Sequence, residues 1–289
     1  MEYKRIDIGG GVCAEYADAG GVGRTLHLLH ANGFNAGVYG PVFEGLTGDF
    51  RALGMNICRE EACAGPGGAG SAIKSWQEVG DELGRFIDAA AGGGPVVGVG
   101  HSIGAVATAL CATRRPELFS RIILLEPVLL EPKVTSLIRL MRALGQTHKA
   151  PLAVRARRRR NGWADRAEAL EYFRSRPLFE GWDEGCLRAY AERGLKESPG
   201  GGVELVCSPE VEAQGFQTYP PDIWRRMRGL RVPTLFVRGE RSDTITPRAR
   251  DLFLRAVPHA DFMELPGAGH LFPMQRPAET ARIIKEYAG

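Results

Sequence analysis

The segment Val96-Val97-Gly98-Val99-Gly100-His101-Ser102-Ile103-Gly104 decides the fold of this 289-residue chain. Its first residues form a nearly continuous apolar run, which is typical of a parallel strand covered on both faces. A small-residue stretch over residues 103–113 follows at once and predicts a helix. Between them, residues 100–104 fit the pattern G-x-S-x-G, in which Ser102 stands on a strained turn that leaves no room for flanking side chains. The segment therefore predicts a strand–turn–helix unit that presents a serine.

The same alternation continues on both sides of this unit. Short apolar runs alternate with amphipathic stretches, which indicates an α/β protein. A capping box at Ser75-Trp76-Gln77-Glu78 begins one helix, and Gly9-Gly10-Gly11 joins the first two strands as a hairpin, so we expect an antiparallel leading edge. The predicted strands are 5–8, 12–17, 25–30, 51–56, 96–100, 122–125, 234–237 and 261–265, and further helices are predicted at 247–256 and 278–287.

The alternation stops between residues 131 and 228. This stretch is helix-like and basic, with no convincing run of parallel strands. We therefore predict an α/β core formed by residues 1–128 and 229–289, interrupted by a helical insertion over residues 129–228. The insertion contains the charge run Arg155-Ala156-Arg157-Arg158-Arg159-Arg160, which we interpret as a solvated helix face, because interleaved aromatic residues are absent.

Composition excludes several classes of protein. The mean hydropathy is −0.16 and no apolar run reaches about 18 residues, so a membrane-spanning helix is not expected. Lys and Arg number 37 against 34 Asp and Glu, which gives +3 and no strong bias toward nucleic acid. The first residues contain no apolar region, so a secretory signal is not expected, and the six cysteines form no CxxC pair. We expect reduced thiols, a cytoplasmic location, no metal and no cofactor.

A serine needs a base to become a nucleophile. His270 lies in the flexible turn Pro266-Gly267-Ala268-Gly269-His270, just after a predicted strand, and is the preferred candidate. His27 is expected in the core, while solvated roles are expected for His148 and His259. His101 precedes the serine and is expected to point away from it.

A carboxylate should orient that base. Asp243 is preferred, because Arg238-Gly239-Glu240-Arg241-Ser242-Asp243 follows a strand and so lies at the rim of the sheet where ligands bind. Glu240 and Glu126 are the alternatives. Ile103 begins a predicted helix, and its backbone N–H is therefore positioned to bind an oxyanion.

The combination resembles the α/β-hydrolase fold superfamily, in the group with a helical cap. The resemblance rests on four segments in the expected order: His30-Ala31-Asn32-Gly33-Phe34, residues 100–104, residues 239–243, and Gly269-His270 with the trailing Leu271-Phe272-Pro273. It implies an eight-stranded sheet in which only the second strand is antiparallel, with the cap inserted after the sixth strand. It also implies an oxyanion hole formed by the N–H groups of Asn32 and Ile103, and we assign Phe34, His101 and Leu271 to substrate binding.

Two features depart from that family. Relatives often carry glycine where this chain has Ala31, and they often carry an Asp-x-Arg-Gly-His-Gly-like loop after the fourth strand. Here the corresponding sequence reads Asn56-Ile57-Cys58-Arg59-Glu60-Glu61. The departures affect the expected shape of the loop near the pocket and leave the three candidate side chains in place.

The sequence thus predicts a serine hydrolase that cleaves an ester-like bond of a small molecule. Thioester, carbon–carbon and perhydrolytic reactions remain alternatives, because each can use the same side chains, whereas a serine at this turn argues against dehalogenases and epoxide hydrolases. A non-catalytic ligand-binding protein of the same fold is the alternative of another class. We expect a monomer or homodimer that binds a small molecule and neither nucleic acid nor a membrane.

Overall fold

Eight strands form the central sheet of the protein. The computed structural model describes residues 1–57 and 73–289. The strands are β1 (Glu2–Asp7), β2 (Cys13–Gly20), β3 (Arg24–Leu29), β4 (Phe50–Met55), β5 (Val96–His101), β6 (Phe119–Leu125), β7 (Gly162–Trp163), β8 (Leu195–Glu197), β9 (Val203–Leu205), β10 (Thr234–Gly239) and β11 (Asp261–Leu265). The central sheet has the order β1-β2-β4-β3-β5-β6-β10-β11.

The predicted direction of the strands is confirmed. Strand β2 pairs antiparallel with both β1 and β4, while the pairs from β4 to β11 are parallel. Three consecutive glycines with positive φ, Gly9, Gly10 and Gly11, turn the chain between β1 and β2, as the hairpin prediction requires.

Helices cover both faces of the sheet. They are α1 (Gly40–Leu46), α2 (Trp76–Ala90), α3 (Ile103–Arg114), α4 (Pro132–Ala143), α5 (Pro151–Arg157), α6 (Arg166–Arg174), α7 (Glu184–Arg193), α8 (Pro209–Gln217), α9 (Ile223–Met227), α10 (Pro247–Ala256), α11 (Phe272–Gln275) and α12 (Pro277–Ala288). Helix α2 begins with the predicted cap: Ser75 Oγ accepts from the N–H of Glu78 at 3.0 Å.

Two apolar clusters lie on opposite sides of the sheet. Successive residues of a strand enter different clusters, as Val96 and Val97 of β5 do. One cluster includes side chains of α2, α3 and α10, and the other includes side chains of α1, α7 and α12. Because both faces are buried, the parallel strands read as continuous apolar runs in the sequence.

The segment between β6 and β10 contains helices α4 to α9. It also contains a three-stranded antiparallel sheet in the order β7-β9-β8, which the sequence analysis did not predict. These strands have two or three residues each, too few for a period of two to be recognised. The division at residues 128 and 228 remains a prediction.

One prediction about the cysteines is wrong. Cys13 is disulfide-bonded, whereas Cys111, Cys186 and Cys207 are free and buried. The argument from reduced thiols to a cytoplasmic location therefore does not hold for Cys13, since disulfides persist mainly in oxidising compartments. Separately, no helix within residues 1–57 and 73–289 is long and apolar enough to cross a membrane.

Candidate active site

Ser102 stands on a strained turn between β5 and α3. Its φ is +57°, a left-handed conformation that non-glycine residues rarely adopt. A Cβ placed on Gly100 would lie 2.5 Å from the carbonyl oxygen of Gly104, and one on Gly104 would lie 2.2 Å from that of Leu29. Gly104 is therefore required for the turn to pack against the end of β3, and Gly100 for the start of α3 to pack against β5, as the sequence pattern predicted.

His270 lies on the loop that follows β11 and reaches the serine. Its Nε2 is 3.0 Å from Ser102 Oγ, and its Nδ1 is 3.1 Å from Glu126 Oε2. Because a carboxylate accepts hydrogen bonds, this arrangement favours the tautomer with the proton on Nδ1, which leaves Nε2 free to accept from the hydroxyl.

The carboxylate beside His270 belongs to Glu126, and the prediction of Asp243 is wrong. Glu126 is completely buried at the end of β6, with φ at +48°. Asp243 is exposed, and its Oδ1 lies 3.2 Å from Thr244 Oγ1. Glu126 was an alternative in the sequence analysis. The sheet explains the difference, because β6 lies between β5, which carries the serine, and β10.

The loop that was expected to supply the acid instead supports it. Glu126 Oε1 accepts from the N–H of Gly239 at 2.5 Å, and Oε2 accepts from Ser242 Oγ at 2.7 Å. The N–H of Ile245 in turn donates to Ser242 Oγ at 3.0 Å. The buried carboxylate thus has three polar partners, as a buried charge requires. The second alternative, Glu240, is exposed and accepts from the N–H of Gly267.

His101 does not take the substrate-binding position that we predicted. Its side chain is completely buried, with Nε2 2.8 Å from the carbonyl oxygen of His270 and Nδ1 2.7 Å from Tyr39 Oη. Since the carbonyl accepts only, His101 donates from Nε2 and accepts from Tyr39 at Nδ1. His101 therefore holds the backbone of the His270 loop. Tyr39 was missed, because nothing in its sequence context distinguishes it from a core tyrosine.

The loop after β3 has its own support. His30 Nδ1 lies 2.7 Å from the carbonyl oxygen of Ala31, and its Nε2 accepts from the N–H of Ile57 at 2.8 Å. The N–H of Ala31 donates to Tyr39 Oη at 3.1 Å. A trans peptide directs its C=O and N–H in opposite directions, so the bond from His30 fixes the direction of the N–H of Asn32.

Helix α8 of the inserted segment packs directly on this loop. Asn32 Nδ2 donates to the carbonyl oxygen of Glu212 at 2.8 Å, and a Cβ on Gly215 would lie 2.4 Å from Asn32 Oδ1. Arg159 forms an ion pair with Glu212 beside the same loop. The inserted segment is therefore anchored next to the candidate oxyanion position.

Phe34 and Leu271 have surroundings that differ. Phe34 is buried, with its ring centroid 5.5 Å from those of Trp182 and Tyr190, so it joins the core to the inserted segment. Leu271 is half-buried at the start of α11. Their roles in substrate binding remain predictions.

The aromatic residues of the inserted segment serve largely as its core. Trp163 packs on Phe173 at 5.2 Å between ring centroids, whereas Tyr219 packs on Trp76 of α2 at 5.0 Å and so joins the segment to the rest of the protein. In the described part of the chain, no group of three His, Cys, Asp or Glu side chains is arranged to hold a metal ion. The unusual loop sequence at 58–61 lies outside the described residues.

Three buried histidines predict a loss of stability in acid. Burial lowers the pKa of His27 and of His101 to about 3 and that of His30 to about 4. In the unfolded chain each imidazole binds a proton as the pH falls through about 6.5, whereas the folded protein leaves it neutral. The free energy of unfolding is therefore unaffected well above about pH 6.5 and falls below it, by up to ~1.4 kcal/mol per pH unit for each histidine. The loss from His30 ends at about pH 4 and that from His27 and His101 at about pH 3.

Chemical denaturation across this range, with a His27→Gln variant as the comparison, measures the effect. Glutamine keeps an acceptor for the N–H of Met55, which His27 Nε2 accepts at 3.0 Å, but it does not titrate. The variant should lose about 2 kcal/mol less than the parent between about pH 6.5 and 5. Equal losses in the two proteins would show that His27 is not kept neutral by the fold.

The fold and the Ser102–His270–Glu126 geometry define a class of protein. The sequence profile described as the Alpha/beta hydrolase family matches residues 27–283, and the chain belongs to this family.

Among its curated relatives is Abhydrolase domain-containing protein ACTT2-1 of Alternaria alternata. It is 28% identical over 229 residues, which are 67% of this chain and 82% of that protein. Among solved structures, E-2-(acetamidomethylene)succinate hydrolase has a TM-score of 0.78 at 20% identity and covers 99% of this chain and 98% of its own. The thioesterase domain from the curacin biosynthetic pathway has a TM-score of 0.75 at 20% identity, with 99% of each chain covered.

Proposed function

We propose that this protein is a serine hydrolase that cleaves an ester-like bond of a small molecule through a covalent acyl-enzyme. The observation that carries the proposal is the continuous hydrogen-bond chain from Ser102 Oγ through the His270 ring to Glu126. It joins a nucleophile, a base and a carboxylate that orients the base, in the order that acyl transfer requires. The strained conformation of Ser102 adds support, because backbone strain is concentrated at functional sites.

In the proposed first half-reaction, Ser102 Oγ attacks the substrate carbonyl carbon while its proton passes to His270 Nε2. Glu126 stabilises the imidazolium that forms. His270 then gives this proton to the leaving oxygen as the carbonyl–oxygen bond breaks, which leaves the acyl group on Ser102. In the second half-reaction, water takes the place of the serine hydroxyl, and the acid product and free Ser102 are released.

The negative charge on the carbonyl oxygen is assigned to the N–H groups of Asn32 and Ile103. Ile103 is the first residue of α3, where helix N–H groups have no intrahelical acceptor. Within the described residues, neither N–H donates a hydrogen bond to another group. Ala31 is a poorer candidate, since its N–H already donates to Tyr39. No step of this reaction needs a cofactor.

The test is a p-nitrophenyl ester series of increasing acyl length, combined with labelling by a fluorophosphonate probe. Hydrolysis and labelling together would support the proposal, and the preferred acyl length would give the size of the pocket. Labelling without hydrolysis of any oxygen ester would move the assignment to thioesters or carbon–carbon bonds, which acyl-thioester and β-diketone substrates would then distinguish. Neither labelling nor hydrolysis would favour a non-catalytic ligand-binding protein.

A further inference from the structure

Residues 132–160, which contain α4 and α5, are strongly basic. They hold nine Lys and Arg residues and no Asp or Glu, although the whole chain carries only +3. Arg157, Arg159 and Arg160 form ion pairs with glutamates. The other six basic side chains are exposed and form no ion pair with a described residue: Lys133, Arg139, Arg142, Lys149, Arg155 and Arg158.

The same segment exposes large apolar side chains. It contributes five of the eight that are exposed in the described chain: Val134, Leu137, Leu140, Leu144 and Leu152, each 42–60% accessible. Residues 137, 140 and 144 follow helical spacing and lie along one side of α4. Thr135 is the one buried residue of that helix. An amphipathic helix of a globular protein normally buries its apolar side, so this arrangement indicates an external partner.

Helices α4 and α5 pack on one continuous stretch of chain. Arg139 and Arg142 of α4 donate to the carbonyl oxygens of Pro221 and Tyr219, while Ala153 and Ala156 of α5 pack with Ala213 of α8. The exposed leucines therefore share the outer surface of this layer, which we call the α4–α5 face, with the four basic side chains that have no hydrogen bond to a described residue: Lys133, Lys149, Arg155 and Arg158.

We propose that the α4–α5 face docks the protein on an anionic lipid bilayer. Exposed leucines beside unpaired lysines and arginines are the combination that enters the interfacial region of a membrane, where the apolar groups are buried and the cations meet acidic headgroups. This departs from the sequence expectation of no membrane partner, which rested on the net charge and the lack of a spanning segment.

Charge and composition disfavour the other occupants. A two-fold symmetric contact with a second copy would place the same positive surface against itself. Binding of single-stranded nucleic acid would use aromatic side chains for stacking, and this face offers aliphatic ones. The inference is independent of the proposed catalytic activity.

The experiment is co-sedimentation of the full chain with vesicles of phosphatidylcholine alone or with about 30% phosphatidylserine. Binding is expected only to the anionic vesicles and should weaken with salt. Arg155→Gln/Arg158→Gln should weaken it about 30-fold, since each interfacial cation contributes about fivefold, and Leu137→Ser/Leu144→Ser should weaken it at least tenfold.

Two matched variants serve as controls. Arg228→Gln/Arg255→Gln removes the same charge from exposed positions elsewhere, and Val22→Ser/Leu178→Ser removes exposed apolar groups elsewhere; both should bind like the parent. Failure to bind anionic vesicles would overturn the proposal, as would equal weakening by a face variant and its control. Concentration-dependent dimerisation that Leu137→Ser/Leu144→Ser abolishes would assign the face to a second copy instead.

Discussion

Replacing Ser102 with alanine is expected to lower kcat/KM for the preferred ester by about 10⁵- to 10⁶-fold. The hydroxyl supplies the atom that would form the acyl-enzyme, and no other serine lies within hydrogen-bond distance of His270 among the described contacts. The residual rate would come from the oxyanion donors and from substrate binding alone. Fluorophosphonate labelling should disappear together with turnover.

The stability of this variant should change by less than about 1 kcal/mol, since the hydroxyl makes one partly buried hydrogen bond. Ser120→Ala is the matched control: it removes a hydroxyl from the neighbouring strand β6, where Ser120 Oγ donates to the carbonyl oxygen of Val96. It should retain full activity. Near-parental turnover in Ser102→Ala, measured with protein free of contaminating esterase, would refute the nucleophile assignment.

Ser102 could be predicted because the residues that shape its turn are its neighbours in the sequence. The glycines at 100 and 104 are required by close contacts with neighbouring backbone, and the apolar strand before them is needed to bury β5 on both faces. The antiparallel leading hairpin followed from the same kind of local pattern, and the eight-stranded sheet with its antiparallel β2 followed from the family resemblance.

The carboxylate was harder to predict because its position depends on distances between strands. Glu126, Glu240 and Asp243 all follow strands that end at the same rim of the sheet. The burial of Glu126 and its bonds from Gly239 and Ser242 exist only after β6 and β10 pair. Likewise, the bond from His101 to the carbonyl of His270 joins residues 169 positions apart, and no sequence periodicity reports such a contact.

For the exposed leucines of α4, a sequence argument alone gives the wrong environment. Their spacing is that of an amphipathic helix, and a sequence argument would bury them in the inserted segment. The structure instead buries Thr135, so the direction of the apolar side became evident only from the packing of α4 on residues 219–221.

Glu126→Gln should lower kcat/KM about 10⁴-fold, by analogy with other triads in which the acid becomes an amide. Glutamine has one acceptor oxygen, and the N–H of Gly239 and the hydroxyl of Ser242 both donate to this side chain. If the oxygen stays with Gly239, the amide N–H₂ faces His270 Nδ1 and requires that nitrogen to accept. The proton then moves to Nε2, where the ring can no longer act as a base toward Ser102.

Asp243→Asn is the matched control, because it makes the same carboxylate-to-amide change on the exposed side chain that the sequence analysis preferred. It should change kcat/KM less than about threefold, as expected for a surface residue outside the hydrogen-bond chain. Glu126→Gln is also expected to cost about 1–3 kcal/mol in free energy of unfolding, since one buried donor loses its acceptor. A severe loss in Asp243→Asn with a mild one in Glu126→Gln would restore Asp243 as the acid. If both variants remained active, His270 would be oriented well enough by its backbone bond to His101, and the carboxylate would not be needed to fix the tautomer.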